Sequence, residues 1–500
     1  MRLVRVGAAV LNQTPLDWAG NRRRIEEAIA RARAEEITIL CLPELCITGY
    51  GCEDAFHSPG LHQTAFEVLQ EIAPSTGGLI ASIGLPLFYN RGLYNAAALL
   101  VDGRVAGFSA KRYLAGDGIH YEPRWFKAWP EGHVAEVEVG GRAVPLGDVL
   151  FDVGGVKIGF EICEDAWVAS RPGSHMALQG VDVILNPSAS HFAFGKDDVR
   201  QRFVTEGSRA FGVAYVYANL LGNEAGRIIY DGGALIASGG SLVAVGGRFS
   251  YRDVDLTSAV VDITANRMMQ ARVGSFRPEV DDRAVDVPFS YPELTPVAPA
   301  PLARSWEQGE HVKEEELTRA VALGLFDYLR KSRSGGFVVS LSGGADSSAV
   351  SCLVALMAHV AAAELGMDGV REKLPHIDLA ACATPRELVG KLLTCVYQST
   401  RNSGPVTREA ARQVATAIGA RFLELDVDAM VQGYVDLIAG AVGRPLSWET
   451  DDVALQNIQA RVRGPSVWLL ANLDSRLLLA TSNRSEAAVG YATMDGDTSG

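Results

Sequence analysis

Apolar residues recur in strand-length runs through the first half of the chain: Val6 to Leu11, Thr38 to Leu42, Leu79 to Leu85, Ala96 to Val101, Val156 to Ile162, Val181 to Leu185 and Ala214 to Asn219. Between the first two runs, Ile25, Ala28 and Ile29 fall at helical spacing beneath a basic outer face, and Asp17 stands where a helix cap belongs. This alternation predicts layered α/β structure. Further short runs, Gly233 to Ser238, Ser241 to Val245 and Ser258 to Ile263, are bounded by glycine-rich turns and close a sheet-rich first domain near residue 275.

The pattern then changes. Val287 to Pro301 carries five prolines and little periodicity, which suits an extended linker. Beyond it, an amphipathic helix over Glu314 to Leu329, a compact strand over Gly335 to Leu341 and a helix rich in small residues over Ser348 to Ala363 follow in order. A strand, a glycine loop and a helix in succession predict a parallel sheet with its ligand loop at a strand's carboxyl end. The expected division is therefore residues 1–275, a linker over 276–305, and a second domain over 306–500.

Five hundred residues exceed what one core organises, and an apolar fraction of 48% supports two packed cores. There is no uninterrupted run of apolar residues long enough to cross a bilayer, and Met1 to Val6 leads straight into a strand pattern. The seven cysteines are scattered without a C-x-x-C pair, which suits reduced thiols in a cytoplasmic protein. A formal charge of -13 argues against nucleic acid or an anionic membrane as partner and favours small-molecule substrates.

Two groups of residues carry chemistry. Cys163 lies just past the apolar strand Val156 to Ile162, where a turn can expose its sulfur at the sheet edge. Glu44 and Lys111 also follow strands, so all three side chains are expected at one sheet edge. The carboxylate would take the thiol proton and later activate water, and the ammonium would hold a tetrahedral oxyanion, as amide cleavage by a thiol requires. In the second half, Ser340-Leu341-Ser342-Gly343-Gly344-Ala345-Asp346-Ser347 leads from a strand into a helix, aiming glycine amides and a helix N-terminus at one anion. Ser342 and Ser347 add hydroxyl donors, and Asp346 would hold magnesium on a departing pyrophosphate.

Four separated words in the first half resemble the nitrilase superfamily of carbon-nitrogen hydrolases: Pro43-Glu44-Leu45, Lys111-Arg112-Tyr113, Tyr121-Glu122-Pro123 and Glu161-Ile162-Cys163-Glu164. The resemblance implies an αββα sandwich with Glu44, Lys111 and Cys163 as the triad and Glu122 orienting the lysine or substrate. It also places Ser190 and Lys196 against the amino-acid end of a glutamine donor. The loop Ala115 to His120 lacks a proline and a tyrosine common among relatives, and with them a donor contact.

The loop SGGADSS in its strand-to-helix setting resembles the N-type ATP pyrophosphatases, whose sheet is Rossmann-like and which cleave ATP to AMP and pyrophosphate. Gln456 to Arg463, Thr481 to Glu486 and Gly490 to Asp497 are similar to the NAD synthetase family in order and spacing. That likeness implies ATP contact by Thr481, contact with the deamido-dinucleotide by Asn457, Glu486 and Tyr491, and magnesium held by Asp346 and Glu486. Gln456 and Arg484 stand where glutamate and lysine are frequent. The family continues past the last word into further helices and an ATP-contacting lysine, so the second domain is expected to be incomplete at its C-terminus.

Together these resemblances imply an amide-forming ligase. Ammonia from L-glutamine would amidate ATP-adenylated nicotinic acid adenine dinucleotide, through a protected passage and in a homo-oligomer. The competing expectations are a carbon-nitrogen hydrolase fused to a tRNA-modifying pyrophosphatase loop, and a catalytically dead assembly module.

Overall fold

The computed structural model describes residues 1–224, 226–280, 283–297 and 305–490. The chain forms two compact units, Met1–Glu316 and Leu317–Gly500. Each is α/β.

The first unit is built on two large sheets. In the eight-stranded sheet Leu3–Leu11 is flanked by Val254–Asp262 and Ile39–Cys41, followed by Ile80–Tyr89, Gly92–Val101 and Arg104–Ala110. In the seven-stranded sheet Val156–Phe160, Val183–Ser188 and Ala214–Asn219 run side by side and parallel. Leu3–Leu11 lies against Ala214–Asn219, so the sheets face each other. Ile25, Ala28 and Ile29 of the Trp18–Ala34 helix, with Ala65, Val68 and Leu69 of Pro59–Ile72, pack on the first sheet. Met176 and Val204, from helices Pro172–Leu178 and Lys196–Phe211, pack on the second. The order helix, sheet, sheet, helix is the αββα sandwich expected. Asp17 caps the first helix, accepting the Gly20 N–H at 3.0 Å.

Part of the expected linker is structured. Val285–Val287 is a parallel edge strand beside Phe151–Val153. Glu307 and Glu316 both bond the buried Arg248 guanidinium, at 2.8 and 2.6 Å, so residues counted with the second domain by composition are held by the first unit. A composition shift marks where a chain becomes extended and is blind to ion pairs formed later along it.

The second unit has a four-stranded parallel sheet in the order Arg421–Asp426, Leu393–Ser399, Phe337–Ser340, Leu477–Leu479. The Ala345–Lys373 helix is long and apolar enough to cross a membrane by composition alone. It packs on the central strands and on helices Pro385–Leu392 and Pro405–Ile418, as a small-residue helix over a sheet must.

Candidate functional site

Three turns deliver the amidase residues to one buried place. Leu45, at φ +49°, turns the chain directly after Glu44. Beneath it passes Gly84, where a Cβ would come within 2.3 Å of the Leu45 nitrogen, so only glycine lets the Ile80–Tyr89 strand run so close. Lys111 follows Arg104–Ala110 directly. Cys163 opens the helical turn Cys163–Ala166 at φ +46°, a conformation that costs a non-glycine residue energy and lifts its side chain out of the strand direction. Asp165 fixes that turn to the segment carrying Lys111, accepting the N–H groups of Arg112 (3.1 Å), Tyr113 (2.8 Å) and Ile162 (3.0 Å).

Glu44, Lys111 and Glu122 have no exposed side-chain surface. The Lys111 Nζ donates to Glu44 Oε1 at 2.6 Å and to Glu122 Oε1 at 2.7 Å. Glu44 also receives Asn95 Nδ2 at 2.7 Å and the Ala189 N–H at 2.9 Å; Glu122 receives the Tyr50 hydroxyl at 2.7 Å and the Ala115 N–H at 3.1 Å. Burial raises the Glu44 carboxyl to about 7 against the pull of Lys111. Burial alone would lower the Lys111 ammonium, but Glu122 and Glu44 outweigh it and hold it above its usual value. Burial, then the Glu44 charge, pushes the Cys163 thiol up, with Lys111 opposing. The sulfur is therefore protonated at rest, beside a carboxylate that titrates near neutrality and a fixed cation. That set takes a thiol proton and stabilises an oxyanion.

The two donor-side residues differ. Ser190 is buried, and its hydroxyl is taken by Arg200 Nη2 at 3.1 Å. Lys196 begins the Lys196–Phe211 helix, with Nζ 3.1 Å from His191 Nδ1 and 5.4 Å from the Trp167 ring centre. Burial, then Arg200, lowers its ammonium to about 8. Sequence reasoning missed Asn95, Asp165 and the neighbours His120 and His191. Asn95 sits inside a strand, and its reach to Glu44 is a cross-strand matter that no local word encodes.

In the second unit, Ser340, Leu341, Ser342 and Thr481 line a cavity of about 340 Å³ with Tyr397, Gln398, Thr407 and Arg463. Gly343 has φ +82°, and a Cβ there would lie 2.2 Å from the Thr407 carbonyl oxygen. Ser342 and Ser347 hydroxyls lie 3.1 Å apart, and the Ser342 hydroxyl accepts the Gly344 N–H at 3.2 Å, which shapes the loop. Ala345 and the exposed Asp346 begin the following helix. Asn457 lies on Asp452–Arg461, one turn before the lining residue Ala460. Asn483 caps Arg484–Val489 and Glu486 closes the capping box, its Oε2 accepting the Asn483 N–H at 3.2 Å. Tyr491 lies outside the described residues. Gln398 and Arg463 went unassigned in the sequence; Arg463 donates to the Gln398 carbonyl at 3.3 Å and Gln398 accepts the Ser340 hydroxyl at 2.9 Å.

Among the described residues no three His, Cys, Asp or Glu side chains gather as a metal cage. Magnesium held by one or two carboxylates together with phosphate oxygens does not need one, and Asp346 and Glu486 are oxygen donors of the fitting kind.

Residues 5–268 match the carbon-nitrogen hydrolase family and residues 317–500 the NAD synthase family. The chain is 33% identical to the glutamine-dependent NAD(+) synthetase of Oryza sativa subsp. indica, over 99% of this chain and 72% of that protein. It belongs to the glutamine-dependent NAD(+) synthetase family. The human member is 32% identical over 98% of this chain and 74% of its own length. The crystal structure of the Cytophaga hutchinsonii glutamine-dependent NAD(+) synthetase superposes with a TM-score of 0.86 at 44% identity, covering 99% of this chain and 77% of that one. The Acinetobacter baumannii enzyme, at 22% identity and a TM-score of 0.73, shares the fold over 100% of this chain and 78% of its own. The NAD synthase match decides between the amide-forming ligase and the tRNA-modifying alternative.

Proposed function

We propose that the chain makes NAD(+) by two reactions run in series, each on its own unit. Cys163 Sγ attacks the side-chain amide carbon of glutamine as its proton passes to Glu44. Lys111 holds the oxyanion, and the tetrahedral species collapses to ammonia and a thioester as Glu44 returns the proton to the leaving nitrogen. Water activated by Glu44 then frees glutamate. In the second unit the nicotinate carboxylate of nicotinic acid adenine dinucleotide attacks the α-phosphorus of ATP, expelling pyrophosphate. Ammonia displaces AMP from the acyl-adenylate to give the amide.

The observation that carries the first half is the fully buried Glu44–Lys111–Glu122 cluster beside Cys163. For the second, the A. baumannii relative was solved with ADP, and the Ser340–Ser342 edge of the cavity is the counterpart expected for ATP phosphates. Asp346 and Glu486 would hold magnesium, which neutralises phosphate charge when bound. Lys196 is assigned to the donor's α-carboxylate, Thr481 to ATP, and Asn457 to the dinucleotide. Ser190 is assigned to the donor pocket wall through its carbonyl and hydroxyl, both pinned by Arg200.

The ammonia is proposed to travel shielded from solvent, because ammonium formed in water is no nucleophile. An oligomer is supported by the apolar groove of about 680 Å³ in the second unit, lined by Met430, Tyr434, Leu437, Ile458 and Trp468. Seven free thiols suit a cytoplasmic setting. Glutamine labelled at its amide nitrogen, supplied with excess unlabelled ammonium, tests delivery. Label retained in the NAD(+) amide is the expected outcome; label diluted to the level of bulk ammonium would refute shielding.

A further inference from the structure

His120 and His191 belong to two loops that meet beside the amidase centre, and neither has a part in the chemistry above. They join into one chain: Tyr50 hydroxyl to His120 Nδ1 at 3.2 Å, His120 Nε2 to His191 Nδ1 at 2.8 Å, and His191 Nδ1 to Lys196 Nζ at 3.1 Å. At its inner end Tyr50 also reaches Glu122 Oε1 at 2.7 Å, the same oxygen that receives Lys111. The chain thus runs from the residue assigned to the donor's carboxylate to the residue that holds the catalytic ammonium.

The proton count along it has two solutions. A charged Lys196 has donors only, so His191 Nδ1 facing it must accept and its ring proton must sit on Nε2. His120 Nε2 then has to donate to that same Nδ1, leaving His120 Nδ1 an acceptor that competes with Glu122 for the single Tyr50 proton. If Lys196 turns its hydrogen bond away from His191 to an anion, the conflict ends. His191 then carries its proton on Nδ1 and donates to His120 Nε2, His120 Nδ1–H donates to the Tyr50 oxygen, and Tyr50 donates wholly to Glu122. No net proton is gained; each ring releases one to water from one nitrogen and takes one from water on the other. Burial, with Lys196 and Lys111 facing His120 and with Lys196, His120 and Arg200 outweighing Asp231 at His191, lowers both imidazoles to about 4. Near neutral pH both rings are uncharged, so tautomer, not charge, is what can change.

We propose that Tyr50, His120 and His191 form a tautomer relay that reports engagement of Lys196 by the donor's α-carboxylate to Glu122, favouring amides of amino acids over simple amides. With Tyr50 donating fully, Glu122 Oε1 shares its charge between two donors and loosens its hold on Lys111, which is then better able to meet the oxyanion. His120 and His191 are positioning residues, acting through Tyr50 and Glu122. The inference rests on the assignment of Lys196 to the donor carboxylate.

The test compares glutaminase turnover by the full-length protein on L-glutamine and on γ-aminobutyramide, the same amide without the carboxylate. His120→Phe is expected to lower kcat for glutamine about tenfold while KM stays within about twofold and γ-aminobutyramide turnover is unchanged. Equal losses on both substrates, or no loss on either, would overturn the relay. In Cys163→Ala protein with isotopically labelled histidine, nitrogen NMR should show His191 moving from the Nε2–H to the Nδ1–H form when glutamine is added; an unchanged tautomer would overturn it without any change to a histidine. Lys196→Met separates the underlying assignment: an unaltered KM for glutamine would remove the carboxylate contact itself, and the relay with it.

Discussion

A sulfur held above the ordinary thiol range attacks an amide only when a base takes its proton, so in the proposed mechanism the glutaminase rate turns on Glu44. With that carboxyl raised to about 7 by burial, the basic form gains population as pH rises through neutrality. We expect kcat/KM for glutamine to climb from about pH 5, pass its midpoint near pH 7 and reach a plateau above about pH 8; a flat profile over that range would show that another group is the base. The His120 and His191 shifts act on stability in their own window. Both are lowered from 6.5 to about 4, so between these values the unfolded chain binds protons that the folded chain refuses, and stability is lost as pH falls from 6.5 towards about 4. His120→Asn should make the acid-side fall in melting temperature shallower. At this scale the sequence was legible where a residue and its local word travel together, as with Pro43-Glu44-Leu45 and Glu161-Ile162-Cys163. It was silent on Asn95 and Asp165, whose partners lie 51 and 53 residues away.

Elements matter here chiefly for where they end. The Cys163–Ala166 turn is joined to the Lys111 segment by one carboxylate accepting three backbone N–H groups. Asp165→Ala leaves those donors buried without a partner and should cost on the order of 3 kcal/mol, read as a lower melting temperature together with loss of glutaminase activity. A variant as stable and as active as the parent would show that Asp165 does not hold the turn. In the second unit Gly343→Ala would press a methyl group against the Thr407 carbonyl, at the start of the Pro405–Ile418 helix. We expect AMP formation to fall about 100-fold with either nitrogen source while glutamine hydrolysis continues. The alternation of apolar runs foretold these strands and helices because each buries one face or stripe. It could not foretell the Val285–Val287 edge strand, whose pairing is set by Phe151–Val153 rather than by its own pattern.

At the scale of the whole molecule, two chemistries that share no residues must share a nitrogen. If the proposed oligomer forms through the apolar groove around Leu437 and Trp468, Leu437→Glu should shift sedimentation towards a smaller species, and an unchanged sedimentation would remove that groove from the interface. The most direct measurement of the central claim is NAD(+) synthesis by full-length Cys163→Ala with glutamine and with ammonium as separate nitrogen sources. The expected result is a loss of roughly a thousandfold with glutamine and a rate with ammonium equal to that of the parent. Undiminished synthesis from glutamine would contradict the assignment of Cys163 as the source of nitrogen.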